Sequence, residues 1–141
     1  LKPGSLEYFE DRVERMYATL LEARPLAGAD AVLRARLDDL LLYARYVQLW
    51  CANRRAQADI RDEALQRLVR FAYQIRETRM VHWGLLRQFI AGANKVDLKA
   101  APPWLDEEQK DAFDPAQADH VTPTLIGETW RVAAGMATQE N

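Results

Sequence analysis

Hydrophobic side chains recur every three or four residues along the first 90 positions, which is the period of an amphipathic α-helix. The first such stripe consists of Leu6, Phe9, Val13, Met16 and Leu20. Ser5 precedes it and is a good N-cap, while Pro25 and Gly28 follow it and favour a helix end. We therefore predict a helix over residues 5–24.

Two longer segments have the same period. The second begins after Asp30, and its stripe is Leu33, Leu37, Leu40, Ala44, Val47 and Cys51. The third contains Leu65, Leu68, Ala72, Ile75, Arg79, His82, Leu86 and Phe89. These patterns predict helices over residues 31–57 and 61–91. Because short connections between long helices make neighbours antiparallel, the three helices should form an up-down-up bundle.

The pattern changes after Gly92. Residues 92–141 contain four of the six prolines, and only 106–113 and 124–137 could be helical. This segment is nevertheless rich in large apolar side chains, namely Trp104, Leu105, Phe113, Leu125, Ile126 and Trp130. We therefore predict one all-α domain, in which an antiparallel up-down-up three-helix bundle carries a Pro-containing, partly helical C-terminal segment packed across it.

The distribution of charge supports this arrangement. Residues 1–91 carry 15 basic and 12 acidic side chains, a net charge of +3, whereas residues 92–141 carry 4 and 9, a net charge of −5. An acidic segment attached to a mildly basic body favours contact between the two. The net charge of −2 argues against a general nucleic-acid partner.

Composition also indicates whether the chain spans a membrane or forms a disulfide. The chain begins at Leu1 and has neither a signal peptide nor a run of about 18 apolar residues. We expect a domain excised from a longer chain, with no membrane span. Cys51 is the only cysteine, so no intrachain disulfide can form, and its place in the second stripe indicates a buried structural thiol.

Signatures of catalysis and of cofactor binding are absent. The sequence has no G-x-G-x-x-G, P-loop or G-x-S-x-G motif, and its two histidines are 38 residues apart. Adjacent carboxylates such as Asp38 and Asp39 would point about 100° apart on a helix, which does not suit a shared substrate. We predict no catalytic residue, cofactor or metal site in this chain.

The second half of the third predicted helix is unusual, because Arg79 and His82 occupy stripe positions. One hypothesis is a ligand pocket in which Arg79 and His82 donate hydrogen bonds and Trp83 or Trp50 provides a stacking surface. The alternative is that they lie at the end of the bundle and pair with an acid of the C-terminal segment such as Asp97 or Asp119, since a buried arginine must be paired.

Tyr43, Tyr46 and Trp50 lie along one flank of the second predicted helix. Such a row could hold sugars by stacking on the ring faces. It could equally be part of the core, covered by Pro102, Pro103 and Trp104 of the C-terminal segment. The sequence leaves both interpretations open.

Residues 41–50 (LLYARYVQLW) and 68–83 (LVRFAYQIRETRMVHW) resemble the helical region that follows the barrel in large bacterial multidomain proteins of unknown function. Those proteins themselves resemble α-glucuronidases and other glycoside hydrolases. The resemblance implies an accessory, substrate-framing role without catalytic residues, because the catalytic acids would lie in the barrel. It also implies a secreted or cell-envelope location.

Two functional hypotheses follow. The first is a non-catalytic helical accessory domain of a carbohydrate-active protein, which packs against a neighbouring domain of the same parent chain and contacts carbohydrate. The second is an interaction or oligomerisation module without a small ligand, for which a homodimer is one form. Surface composition distinguishes them: the first requires an aromatic and arginine patch, and the second requires an exposed aliphatic patch.

Overall fold

A computed structural model of the chain describes residues 1–86, 88, 111 and 113–116. Three helices form its framework: α1 spans Leu6–Leu26, α2 spans Ala31–Arg55, and α3 spans Arg61–Gln74. A short 3₁₀ turn, Arg76–Thr78, follows α3. The described residues contain no β-strand, so the predicted all-α class is confirmed.

Local chemistry fixes the helix starts. The Ser5 hydroxyl accepts a hydrogen bond from the Tyr8 N–H (3.2 Å), and the Asp30 carboxylate accepts one from the Leu33 N–H (2.9 Å). Both side chains satisfy a backbone donor that the first helical turn leaves unpaired. The starts predicted near Ser5 and Asp30 are therefore confirmed.

The cap at Asp30 yields a prediction. Asp30→Ala should lower the free energy of unfolding by about 1 kcal/mol, because the Leu33 N–H loses its partner. Asp30→Asn keeps an acceptor oxygen and should stay within a few tenths of a kcal/mol of the wild type. Urea denaturation followed by circular dichroism measures both. Equal losses for the two variants would contradict a capping role.

The ends of the first two helices differ slightly from the prediction. Pro25 lies inside the last turn of α1 instead of after it, and the helix continues to Leu26. Proline removes only one N–H there, and the Ala27 N–H bonds the Arg24 carbonyl to close the end (3.2 Å). The second helix ends at Arg55, two residues before the predicted end at residue 57.

The prediction of one continuous helix over residues 61–91 is wrong. α3 ends at Gln74, and Arg79 adopts a left-handed backbone conformation with φ of 60°. The Thr78 hydroxyl donates to the Ile75 carbonyl (2.7 Å) and accepts from the Met80 N–H (3.2 Å). Because this side chain pairs with backbone groups outside the helical ladder, it favours a turn over a continuing helix.

A new helical turn, residues 83–86, begins after the break. The His82 Nδ1 accepts a hydrogen bond from the Leu85 N–H (3.1 Å), as an N-cap side chain does. Gly84 lies beside this imidazole: an added Cβ would come within 3.3 Å of His82 Cε1. Gly84, which the helical pattern left unexplained, therefore lies next to a capping side chain.

The core consists of two clusters that share α2. The α1–α2 cluster comprises Val13, Tyr17, Leu20, Leu41 and Ala44. The α2–α3 cluster comprises Leu49, Leu68, Phe71, Ala72, Ile75 and Val81. Their hydrophobic burial stabilises the packing of α1 on α2 and of α2 on α3. The antiparallel three-helix arrangement is confirmed, with α2 as the central helix.

Polar contacts fix the antiparallel register of α1 and α2 at both ends. The Arg55 guanidinium near the end of α2 bonds both oxygens of Glu10 near the start of α1. At the other end the Arg24 Nε donates to the Asp38 carboxylate (3.0 Å). Arg24 is only 2 % exposed, and it continues the buried stripe of α1 formed by Val13, Tyr17 and Leu20.

Candidate functional site

The most polar part of the described interior lies where α1, α2 and α3 contact Asp111 and residues 113–116. Its members are Tyr17 of α1, Arg45 and Gln48 of α2, and Arg67 and Gln74 of α3, which we call the Asp111 groove. Arg45 is 6 % exposed and Gln48 is 2 % exposed. Charged and amide groups at this depth must be paired, because desolvation without a partner is costly.

Asp111 provides the principal partner. The Arg45 Nε and Nη2 donate to the two carboxylate oxygens at 3.2 and 2.8 Å, which is a bidentate pair. The side chains of both residues are less than a tenth exposed. Arg67 adds a second cation, with its Nη2 3.9 Å from the same carboxylate. The groove therefore recognises a carboxylate by charge and by geometry.

The backbone of Asp111 is held as well. Its N–H donates to the Gln74 Oε1 (3.2 Å), and the Gln74 Nε2 donates to its carbonyl (3.5 Å). One amide side chain thus pairs with both polar backbone groups of one residue, because it carries a donor and an acceptor side by side. This contact requires extended backbone at Asp111 but no particular side chain there.

A third set of contacts orients Arg45. Its Nη1 donates to the Gln48 Oε1 (2.7 Å), which also accepts the Tyr17 hydroxyl (3.1 Å). Burial raises the pKa of Tyr17, so the phenol stays protonated and remains a donor. Phe113 packs edge-on against the Tyr17 ring, with 6.0 Å between centroids, and lies beneath the Arg45 guanidinium.

Of the C-terminal segment that was expected to lie across the bundle, only Asp111 and residues 113–116 are described, and these contact the bundle. Asp111 and Phe113 contact side chains of all three helices, and the Arg24 Nη1 donates to the Ala116 carbonyl (3.3 Å). The predicted helix over 106–113 does not extend through its last residues, because Asp111 and Phe113 are not helical. Its earlier part and the predicted helix over 124–137 lie outside the described residues.

The ligand-pocket residues predicted from the sequence lie elsewhere. Arg79 and His82 are exposed, and neither lies on the buried face of a helix. The reason is the helix break, since Arg79 ends the 3₁₀ turn and His82 caps the next helical turn. Asp97 and Asp119, named as partners, lie outside the described residues.

Tyr46, Trp50 and Trp83 are partly buried and pack against the α2–α3 cluster, together with Tyr43. Tyr43 and Tyr46 stack with an interplanar angle of 26°. Burial raises the pKa of the Tyr46 phenol. The structure therefore brings these aromatic rings to one core, while the two polar members of the predicted pocket are exposed.

Trp50 is also part of the surface between α1 and α2. Its ring meets Phe9 edge-to-face at 5.5 Å between centroids, and the Arg54 guanidinium lies 5.8 Å from its centre. Tyr73 and Trp83 form a second edge-to-face pair, at 5.2 Å. The rings of Trp50 and Trp83 are thus engaged with protein neighbours.

Cys51 is fully buried, and burial raises the pKa of its thiol to about 12. The group is therefore neutral at pH 7, which makes it a poor nucleophile and metal ligand. The expectation of a structural thiol agrees with this environment. Within the described part of the chain, no group of three histidine, cysteine or acidic side chains could hold a metal ion.

Cys51 also predicts a response to alkaline pH. The unfolded thiol ionises near 9 and the folded thiol near 12, so its contribution to stability is complete below 9 and declines as the pH rises toward 12. We expect the wild type to lose about 1 kcal/mol more than Cys51→Ala between pH 8 and pH 10. Urea denaturation at both pH values measures this difference. Equal losses would contradict burial of the thiol.

Asp111 and Arg45 were not identified from the sequence, although one signal was present. Leu41, Arg45, Gln48 and Ala52 follow one another at 4-3-4 spacing, beside the stripe that contains Cys51. Two polar residues within a buried helical row indicate a paired interior network. The identity of the partner, 66 residues further along the chain, has no comparable local signal.

Comparison with known proteins adds no assignment: no protein-family model, curated protein or solved structure matches this chain. Among the described helices, none is both long and apolar enough to cross a membrane.

Proposed function

We propose that this chain is a non-catalytic helical interaction module that packs against a neighbouring domain of its parent protein. The observation that carries the proposal is a set of exposed aliphatic side chains at the connection of α1 and α2, which we call the apolar tip. Leu26 is 86 % exposed, Val32 is 65 % exposed and Leu33 is 43 % exposed. Single exposed aliphatic side chains are common, but three at one connection between helices favour a contact surface.

The interior supports the same proposal. The buried polar side chains Arg24, Arg45 and Gln48 all bond other side chains or the backbone of this chain. The neutral Cys51 thiol offers no nucleophile at pH 7. The described chemistry therefore holds polypeptide together, which is what an interaction module requires.

The experiment is site-specific photocrosslinking of the full parent protein. A photoreactive amino acid is placed at Val32, and the matched control carries it at Gln66, which is exposed on α3. We expect an adduct from position 32 that peptide mass spectrometry assigns to another domain of the same chain, and none from position 66. An unmodified position 32, or the same adducts from both positions, would overturn the proposal. An adduct between two copies, identified with isotopically mixed protein, would instead favour a homodimer.

A second candidate function is contact with carbohydrate in a larger carbohydrate-active protein. The observation that favours it is the aromatic and guanidinium surface of Phe9, Trp50 and Arg54, because sugars stack on aromatic faces and guanidinium groups bind carboxylates. Phe9 is 37 % exposed. Uronic-acid oligosaccharides would be the ligands that suit both features.

Trp fluorescence and a glycan array test this second function. We expect uronic-acid oligosaccharides to quench the wild type and to bind on the array, and Trp50→Phe together with Arg54→Ala to abolish both signals. The matched control is Arg36→Ala, an exposed arginine of the same helix. Absence of wild-type binding, or unchanged binding by the double variant, would exclude carbohydrate contact at this surface.

A further inference from the structure

We propose that the Asp111 groove binds Asp-x-Phe segments in trans, and that its partner is a second copy of this chain. In the structure described here the groove holds the chain's own Asp111 and Phe113. The inference extends the proposed role as an interaction module, but it uses a different surface from the apolar tip. The two proposals can therefore fail independently.

The contacts of Arg45 and Gln74 with Asp111 resemble those between a protein and a bound peptide more than those within a helix. Arg45 binds both oxygens of the Asp111 carboxylate, and Gln74 pairs with the N–H and carbonyl of the same residue. Extended peptides are commonly bound through hydrogen bonds to their main chain together with pockets for particular side chains. No helical ladder joins Asp111 to the bundle.

A second anchor gives the groove its sequence preference. Phe113 packs against the α1–α2 cluster and meets Tyr17 edge-on. The Asp111 carboxylate also accepts the Phe113 N–H (3.0 Å), which fixes the two-residue spacing between the acid and the ring. A segment therefore fits when aspartate and an aromatic residue are separated by one residue. Arg24, at the Ala116 carbonyl, extends the contact along the backbone.

The bundle is otherwise complete without this segment. All the buried hydrophobic residues of the described chain lie between Val13 and Val81, and Phe113 is only a partly buried addition to one cluster. Arg67 is about a third exposed where it approaches Asp111. Exchange of the segment would thus leave the buried residues of both core clusters in place, and the segment of a second copy would restore the contacts of Arg45 and Tyr17.

We choose a second copy of this chain as the partner because its segment fits the groove. The groove is observed to hold Asp111 and Phe113 of this chain, and an identical copy offers the same side chains at the same spacing. The charges also suit this pairing, since residues 1–91 carry a net charge of +3 and residues 92–141 a net charge of −5. Each copy would contribute one groove and one segment.

A complementation experiment with two full-length variants tests the proposal. The first, Arg45→Met, keeps the segment but disables the groove; the second, Asp111→Ala with Phe113→Ala, keeps the groove but disables the segment. Sedimentation velocity should show each variant alone as a 16.2 kDa monomer and their equimolar mixture as a 1:1 dimer. A mixture that remains monomeric, with both variants helical by circular dichroism, would overturn the proposal. Dimers of either variant alone would also overturn it, because they would not need the groove and the segment together.

A peptide measurement keeps the proposal testable if either variant does not fold. Fluorescein-labelled peptide of residues 109–118 is titrated with the wild-type chain and followed by anisotropy. We expect saturable binding that weakens about tenfold when the aspartate at the position of Asp111 is replaced by asparagine, because a charge-assisted pair is lost. No binding, or equal binding of both peptides, would overturn recognition in trans.

Discussion

Asp111→Ala is expected to lower the free energy of unfolding by about 3 kcal/mol, because it leaves the buried Arg45 guanidinium without its carboxylate. The value lies at the low end of the usual range, since water can reach Arg45 once the segment no longer packs over it. Urea denaturation followed by circular dichroism measures the change. The matched control is Glu14→Ala, an exposed acid of α1 that should stay within about 0.5 kcal/mol of the wild type.

A double-mutant cycle sharpens this result. Arg45→Met combined with Asp111→Ala should be less destabilised than the sum of the two single variants, because neither charge is then left unpaired. Additive losses would show that the two residues do not stabilise each other. A loss below 0.5 kcal/mol for Asp111→Ala would contradict the buried ion pair itself.

Phe71→Ala should lower the free energy of unfolding by about 3 to 5 kcal/mol, the cost of emptying a large core position. Phe71 is fully buried in the α2–α3 cluster, against which Tyr46, Trp50 and Trp83 pack. Thermal and urea unfolding measure the loss. Phe9→Ala is the matched aromatic control, with an expected loss of about 1 kcal/mol because Phe9 is 37 % exposed.

Equal effects at the two positions would contradict this assignment of the core. The comparison of Phe71→Ala with Phe9→Ala also bears on the predicted carbohydrate site. A large loss of stability marks an aromatic residue that stabilises the fold, whereas a small loss marks one that is free to contact ligand. The near-ultraviolet circular dichroism of Phe71→Ala should lose the part of the tryptophan signal that comes from Trp50 and Trp83, since both pack against the same cluster.

The sequence was sufficient for the helical framework but not for its interruptions. Periodicity located α1 and α2 to within two residues at each end, because amphipathic stripes and N-caps are local features. The same periodicity continued through the break after Gln74. At the break, the backbone conformation is determined by the hydrogen bonds of the Thr78 hydroxyl and by the left-handed conformation of Arg79. Neither feature changes the hydrophobic pattern.

The polar interior was harder to predict, for a related reason. Arg79 occupies a stripe position in the sequence, yet the buried arginines of the described chain are Arg24 and Arg45. Which arginine is buried depends on where a carboxylate arrives from elsewhere in the chain, such as Asp38 or Asp111. Pairing across 66 residues is a tertiary property, and helical periodicity does not encode it.

The distance along the chain between Arg45 and Asp111 has a consequence during protein synthesis. At ordinary elongation rates the ribosome adds the intervening 66 residues in roughly 3 to 13 seconds. The last of the three helices, α3, is complete only once Gln74 has been added, and from then until Asp111 is added the guanidinium of Arg45 lacks its carboxylate partner. Nascent chains on the same messenger RNA therefore expose Asp111 grooves without a carboxylate to one another until Asp111 of each chain has been synthesised.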